Sequence, residues 1–304
     1  MTWFYKSGQL ARDGWDCVVD GTMPGWQHTG MRVGTLGQNP DGSDRHFHLP
    51  ADDLERIIFP LEGKGVTVEY RLAGTSEFVA QFLNGRESVF HGAADTLYLP
   101  METELRLSGD GRVLIGEAPA RELKPVKMFP AGDVPVFIRG AGRSTRQVHN
   151  FGVPETLDAS RFIVVEVIVP AGNWSGIPPH KHDTYEPGVE SNLEEIYYFE
   201  TRVARGLEVD PALTDPIGFL RAYASDEREI DLTEEVRSGD VALIPYGWHG
   251  PAMAAPGYDL YFFNVMAGPD PDRSWNITDD PHHAWIRQSW HHEDADPRLP
   301  YSAE

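Results

Sequence analysis

A chain of 304 residues and 34.0 kDa is long enough for two domains of ordinary size, or for one large β unit with a substantial core. Its 26 Lys and Arg against 47 Asp and Glu leave a formal net charge of -21, a field that repels phosphate backbones and anionic lipid and so excludes nucleic acid and membrane as partners. The single cysteine, Cys17, rules out an intrachain disulfide framework and a multi-thiolate zinc site, and reads as a small buried residue in a reducing compartment.

The first residues, Met1-Thr-Trp-Phe-Tyr-Lys, show no basic segment followed by a long apolar run, and the longest apolar stretch, Phe162 to Val169, is short and carries Glu166. These features predict a soluble cytoplasmic protein. From about Gly63 to Glu117 the chain reads as short strands, at 65–71, 77–83, 95–99 and 103–107, rich in β-branched and aromatic residues and separated by Gly, Asn and Pro. Thirty glycines and 24 prolines over the whole sequence support many strands joined by tight turns rather than a helical bundle. Turn formers concentrate at Lys124-Pro-Val-Lys and Pro130 to Pro135, which predicts a linker near 120–135 and two units, 1–130 and 131–304. The basic, Gly-rich segment Arg139 to Asn150 matches neither GxGxxG nor GxxxxGK, so it reads as a turn joining the two units rather than a nucleotide loop, with Arg146 able to hold an anion.

Stronger strands follow at 162–169, 195–199, 218–224, 240–244 and 258–266. Asp240-Val-Ala-Leu-Ile-Pro245 repeats the form of Asp95-Thr-Leu-Tyr-Leu-Pro100, as two copies of one β unit would. His249 follows the second copy, whereas Met101-Glu-Thr-Glu follows the first, so only the C-terminal unit is equipped for a metal. Near the end, Asp280 and Pro281 open a short helix through Ala284-Trp-Ile-Arg-Gln-Ser-Trp. His282, His283, His291 and His292 lack any carboxylate at a defined spacing and read as surface histidines.

The chemistry-bearing residues are Pro178-Pro-His-Lys-His-Asp, Glu194-Glu-Ile-Tyr-Tyr-Phe and His249. Histidines at i and i+2 point to one side of an extended strand, so His180 and His182 face one cavity while Lys181 faces away. A carboxylate from the next strand and His249 complete a set of three imidazoles and one acid. If Ile196 and Tyr198 pack outside, Glu195, Tyr197 and Phe199 face inward, which favours Glu195 as the ligand and leaves Glu194 as a solvated neighbour. Such ligands suit one divalent zinc, manganese, iron, nickel or cobalt ion, with no preference among them.

These motifs, with Arg139-Gly-Ala-Gly, Thr145-Arg-Gln-Val, Gly172-Asn-Trp-Ser, Ala255-Pro-Gly-Tyr-Asp-Leu-Tyr, Asn264-Val-Met-Ala-Gly-Pro and Asp280-Pro-His-His-Ala-Trp-Ile, resemble the cupin superfamily and, within it, the 5-deoxy-glucuronate isomerase family of inositol catabolism. The resemblance covers about residues 139–286. It implies an all-β bicupin, two jelly-roll barrels with a short C-terminal helix, a metal in the second barrel only, and isomerisation of 5-deoxy-D-glucuronate to 2-deoxy-5-keto-D-gluconate. The sequence departs from the general cupin spacing between the HxH pair and its glutamate, where Asp183 to Glu194 intervene as either a lid or a surface loop, and again at Gly247-Trp-His249. Proximity in sequence makes Tyr197 and Glu194 the candidates for moving a proton. Arg221 and Arg146 are the candidates for the carboxylate of a small sugar-acid substrate. The competing readings are a 5-keto-4-deoxyuronate isomerase, an iron oxygenase and a non-catalytic sugar-acid binder. Edge strands of such barrels often pair between subunits, so a homo-oligomer is expected.

Overall fold

Alternating apolar and polar residues between Gly and Pro turns commit this chain to strands that must bury one face. The computed structural model describes residues 2–39, 41–225 and 228–302 and is built of antiparallel sheets. The nine-stranded sheet includes Cys17–Val19, Gly30–Gln38, Leu54–Arg71, Thr96–Leu99, Glu104–Pro119 and Lys127–Phe129. The seven-stranded sheet runs Phe4–Tyr5, Val241–Ile244, Glu194–Val203, Tyr258–Ala267, Ile163–Val169, Arg146–Gly152, Val136–Arg139 in spatial order. A four-stranded sheet containing Gly218–Ser225 and Arg228–Val236 closes the second barrel.

The inner strands of the seven-stranded sheet are buried on both faces, and strand parity divides their residues between two cores. Val165, Val167, Tyr197, Phe199, Ala242 and Phe262 point into the second barrel, where they meet Leu220, Ala222 and Leu232. Their neighbours Val164, Ile196, Tyr198, Leu243, Phe263 and Val265 point the other way and pack against Ile57, Phe59 and Leu114 of the nine-stranded sheet. This is sheet-on-sheet packing, with the strands' near-continuous apolar runs explained by burial on both sides.

Four carboxylates cross this inter-sheet layer. Glu55 accepts hydrogen bonds from the backbone N–H groups of Ser160, Arg161 and Phe162 at 2.6, 2.6 and 2.9 Å. Glu194 accepts from the Thr29 N–H at 2.7 Å and the His28 N–H at 2.5 Å. Glu166 pairs with Arg86 and accepts from Tyr261 at 2.6 Å, while Glu200 pairs with Arg112. Each satisfies an acid that burial would otherwise penalise heavily.

Several expectations are corrected here. Two of the expected short strands, 65–71 and 103–107, are pieces of long ones, Leu54–Arg71 and Glu104–Pro119, paired along most of their length, while Val79–Asn84 and Thr96–Leu99 remain short strands. Glycines that read as strand breaks instead bend continuous strands through register shifts at Pro60/Glu62 and Gly63/Gly65. Gly63 has φ +108°, and a Cβ there would lie 2.4 Å from the Asp110 carbonyl oxygen, so only glycine allows the two backbones this close. The stretch 120–135 is no free linker, because Lys127–Phe129 pairs with Thr96–Leu99. The basic segment is a hairpin of the second sheet, Val136–Arg139 against Arg146–Gly152, turning at Gly142–Ser144. The helix shrinks to Ile286–Ser289 with a 3-10 turn at Trp290–His292, and Asp280 caps the preceding turn by accepting the His282 N–H at 2.8 Å.

Candidate metal centre

The three histidines meet because the backbone pairs them. His180 and His249 form an antiparallel bridge, with N–H to O distances of 2.9 and 2.8 Å, and residues directly opposite each other project to the same side. His182 shares that side by strand alternation. Gly250 leaves room for the arrangement: with φ +110°, a Cβ there would stand 2.7 Å from Cε1 of His180. Glu195 arrives from the neighbouring strand, paired with Ile244.

The ligand atoms converge. The metal-capable nitrogens of His180, His182 and His249 lie within 4.8 Å of one another. Nε2 of His182 and Nε2 of His249 are 3.0 Å apart, and Oε2 of Glu195 is 3.1 Å from the first and 3.0 Å from the second. Backbone carbonyls fix the tautomers. Nδ1–H of His182 donates to the Leu193 oxygen at 3.0 Å, and Nδ1–H of His249 to the Gly247 oxygen at 2.8 Å. A carbonyl only accepts, so each proton sits on Nδ1 and each Nε2 turns a lone pair inward. Lone pairs and a carboxylate oxygen facing one another at hydrogen-bond distance are satisfied by a cation between them, and this donor set suits a first-row divalent ion. Burial works to raise the acid's pKa, but the close His182 and His249 rings outweigh it and hold Glu195 down at about 2. Burial, then the charges of His249 and His182, pushes His180 well below the ordinary histidine range.

The expected site residues separate by strand face. Tyr197 shares the Glu195 face: it hydrogen-bonds Glu195, its ring lies 6.5 Å from that of His249, and burial followed by the Glu195 charge raises its pKa well above normal. Glu194, expected as a solvated neighbour or a proton carrier, is instead on the opposite face, held by the residue 27–29 backbone and out of the cavity. Arg221 is also turned away: Leu220 and Ala222 on either side fill the barrel, while its guanidinium is spent on Asp231 and the Leu232 carbonyl. Lys181 faces away as expected, bound to Asp183 and Glu190 at 2.9 and 2.7 Å. The stretch after the HxH pair is a hairpin, Asp183–Glu186 against Glu190–Asn192, and none of its residues lines the cavity.

A cavity of about 380 Å³ opens on His180, and its walls include Arg146, Arg139, Asn150, Arg287 and Trp290. Arg139 stands directly across the hairpin from Arg146. Among the described residues the Arg146 guanidinium makes one hydrogen bond, to the Ser144 carbonyl at 3.3 Å. Burial, then the nearby charges of Arg287 and Arg139, lowers its pKa to about 10, the signature of a guanidinium without an acid to balance it. Arg287 is neutralised by Asp279. Arg139, Asn150, Arg287 and Trp290 escaped the sequence reading. For Arg139 the signal was present, since it and Arg146 flank the glycine turn symmetrically, as cross-strand partners of a hairpin do.

Comparisons with known proteins agree in one direction. The sequence profile of the KduI/IolB family matches residues 3–286. A 5-deoxy-glucuronate isomerase from Geobacillus kaustophilus is 35% identical over 268 residues, covering 87% of this chain and 88% of that one. The crystal structure of an IolB-like protein from Salmonella typhimurium superposes with a TM-score of 0.77 at 31% identity, covering 94% of this chain and 99% of that one. The oxalate decarboxylase of Lactobacillus farciminis, at 11% identity with a TM-score of 0.60, covers 92% of this chain and 88% of that one and shares the fold.

Proposed function

The chain belongs to the KduI/IolB family, and from that premise we propose that it is an aldose–ketose isomerase converting 5-deoxy-D-glucuronate to 2-deoxy-5-keto-D-gluconate in inositol catabolism. The observation that carries the reading is two kinds of recognition side by side: His180, grouped with His182, His249 and Glu195, opens onto the cavity that has Arg146 in its wall, and among the described residues no acid pairs with that arginine. The substrate has a carbonyl at one end and a carboxylate at the other, which matches both. The bicupin divides, in this reading, near residue 130, with 1–130 a barrel free of metal and 131–304 the barrel that holds it.

A divalent zinc, manganese, iron, nickel or cobalt ion, when bound, supplies polarisation of the carbonyl and acidifies the neighbouring C–H bond. The chain does the rest. The Leu193 and Gly247 carbonyls keep His182 and His249 in the tautomers that ligate. Arg146 takes the carboxylate through paired N–H donors and so fixes which end of the substrate meets the histidines. Tyr197, kept protonated by burial and by Glu195, holds a phenolic proton beside the reacting end. Val148, Phe199 and Phe262 wall the barrel with apolar surface, which keeps water from the migrating proton.

Among the described residues no helix is long and apolar enough to cross a membrane. We place the enzyme in the cytoplasm, with a small sugar acid as its ligand and copies of itself as its protein partner, the latter checked by sedimentation. The function is tested by incubating the metal-loaded protein anaerobically with 5-deoxy-glucuronate and, separately, with 5-keto-4-deoxyuronate, following ketose formation by NMR. Turnover of the first alone is expected. Turnover that requires dioxygen, or binding with no turnover of either sugar, overturns the reading.

A further inference from the structure

One polar group in the cavity has no part in the chemistry above. Asn150 lies on the Arg146–Gly152 strand, on the face that carries Arg146 and Val148. Its backbone is satisfied, the N–H donating to the Pro135 oxygen and the carbonyl accepting from Thr156 Oγ1, both at 2.9 Å. Its side chain is 7% exposed, and its Oδ1 is the one buried side-chain polar atom among the described residues without a hydrogen-bond partner. Natural proteins rarely leave such an atom unpaired, because the desolvation is uncompensated. Here the atom belongs to a residue that lines the cavity shared by His180 and Arg146, and also the adjoining one lined by Phe137, Arg139 and Trp275.

We propose that Asn150 is a specificity-determining residue whose amide hydrogen-bonds a hydroxyl of the sugar acid held between the histidines and Arg146. The inference rests on the sugar-acid reading and adds to it the requirement that the ligand be hydroxylated. The chemistry selects this partner: an amide oxygen needs a donor, which a hydroxyl supplies and an ionised carboxylate does not. The reach fits as well. Positions 146 and 150 of a strand are about 13 Å apart at roughly 3.3 Å per residue, a span that an extended arginine side chain and a six-carbon acid fill together. A site built to bind a hydroxyl also rejects an analogue without it, since its own polar group is then left unpaired.

The test uses the full-length, metal-loaded protein and calorimetric titration with two six-carbon acids, D-gluconate and hexanoate, which differ in hydroxylation. In Asn150→Leu, gluconate affinity is expected to fall by about tenfold or more, with hexanoate affinity within about threefold of wild type. The melting temperature is expected to stay equal or rise, because an orphaned polar atom has been replaced by an apolar side chain of similar volume. Asn150→Ser, which keeps a polar oxygen, should retain part of the gluconate affinity, and it answers the question if the leucine variant does not fold. Gluconate affinity unchanged within twofold in either folded variant overturns the proposal. So does a parallel loss of both acids, or a lowered melting temperature with equal binding, which marks a structural role. Turnover of 5-deoxy-glucuronate by the wild type is measured separately, so a failed isomerase assay leaves the binding comparison to stand or fall alone.

Discussion

Side-chain direction on a strand decides which residues here do chemistry. Because the period is two, Glu195 and Tyr197 share the histidines' barrel while Glu194 faces the other sheet, so the choice between adjacent glutamates was legible before any coordinates. The same rule left the face of Arg221 open. In Gly218-Phe-Leu-Arg-Ala-Tyr the large aromatics Phe219 and Tyr223 fall on Arg221's face, but the barrel interior takes Leu220 and Ala222, and residue size gave no hint of which face lies inside. Two predictions follow at this scale. His249→Ala removes a ligand whose tautomer is fixed by Gly247, and should abolish stoichiometric metal retention and lower kcat/KM by at least about a thousandfold; metal analysis after dialysis and a rate assay check it. Arg146→Ala should raise KM for the uronate by about ten- to a hundredfold, the loss of one charge-assisted pair, while Arg221→Ala leaves steady-state kinetics within about twofold; equal effects would place the carboxylate elsewhere.

The elements add a constraint that no single residue reveals. The inner strands of the seven-stranded sheet serve two cores, so the strand that presents Glu195 to the histidines also drives Ile196 and Tyr198 into the other sheet. Near-continuous apolar runs announced buried strands, but the sequence carried no mark of the long-range partners of Glu55, Glu166, Glu194 and Glu200, because these bonds join segments far apart in the chain. Glu166 is the sharpest case. Burial raises its pKa, but the charge of Arg86 and the bond to His149 outweigh it and hold the acid at about 2, below its ordinary 4.5. A depressed acid stabilises the fold above pH 4.5, and that contribution is lost as pH falls toward 2. Glu166→Gln, which leaves Arg86 buried and uncompensated, should therefore cost about 3–5 kcal/mol near neutral pH, with the gap to wild type narrowing below pH 4.5. Chemical denaturation across that range measures it, and a pH-independent gap would contradict the assignment.

At the level of the whole molecule, the half without histidine ligands is the support for the half that has them. The two-barrel plan was legible from the repeat at Asp95 and Asp240, and both acids tie their strand to backbone outside it, Asp95 accepting from the Asn84 and Ala131 N–H groups and Asp240 from those of Ser7 and Arg237. The interlocking of the halves was not legible, since the turn-rich stretch near 130 suggested independence. A fragment of 131–304 would expose Ile196, Tyr198, Phe263 and Val265, and would leave Glu194 without the residue 27–29 backbone and Glu166 without Arg86. It is expected to be insoluble or molten, with no cooperative melting transition and no tight metal binding; a fragment that folds and binds metal would refute this coupling. The Phe4–Tyr5 strand carries the point further. It pairs with Val241–Ile244, whose other edge pairs with the strand of Glu195. During synthesis these early residues emerge from the ribosome long before the strand they join, and they wait unpaired while the intervening chain is translated. The catalytic barrel is therefore sealed only when a strand translated more than two hundred residues later joins Phe4–Tyr5, and a bulky group placed before Phe4 would act on the enzyme's assembly rather than on its surface.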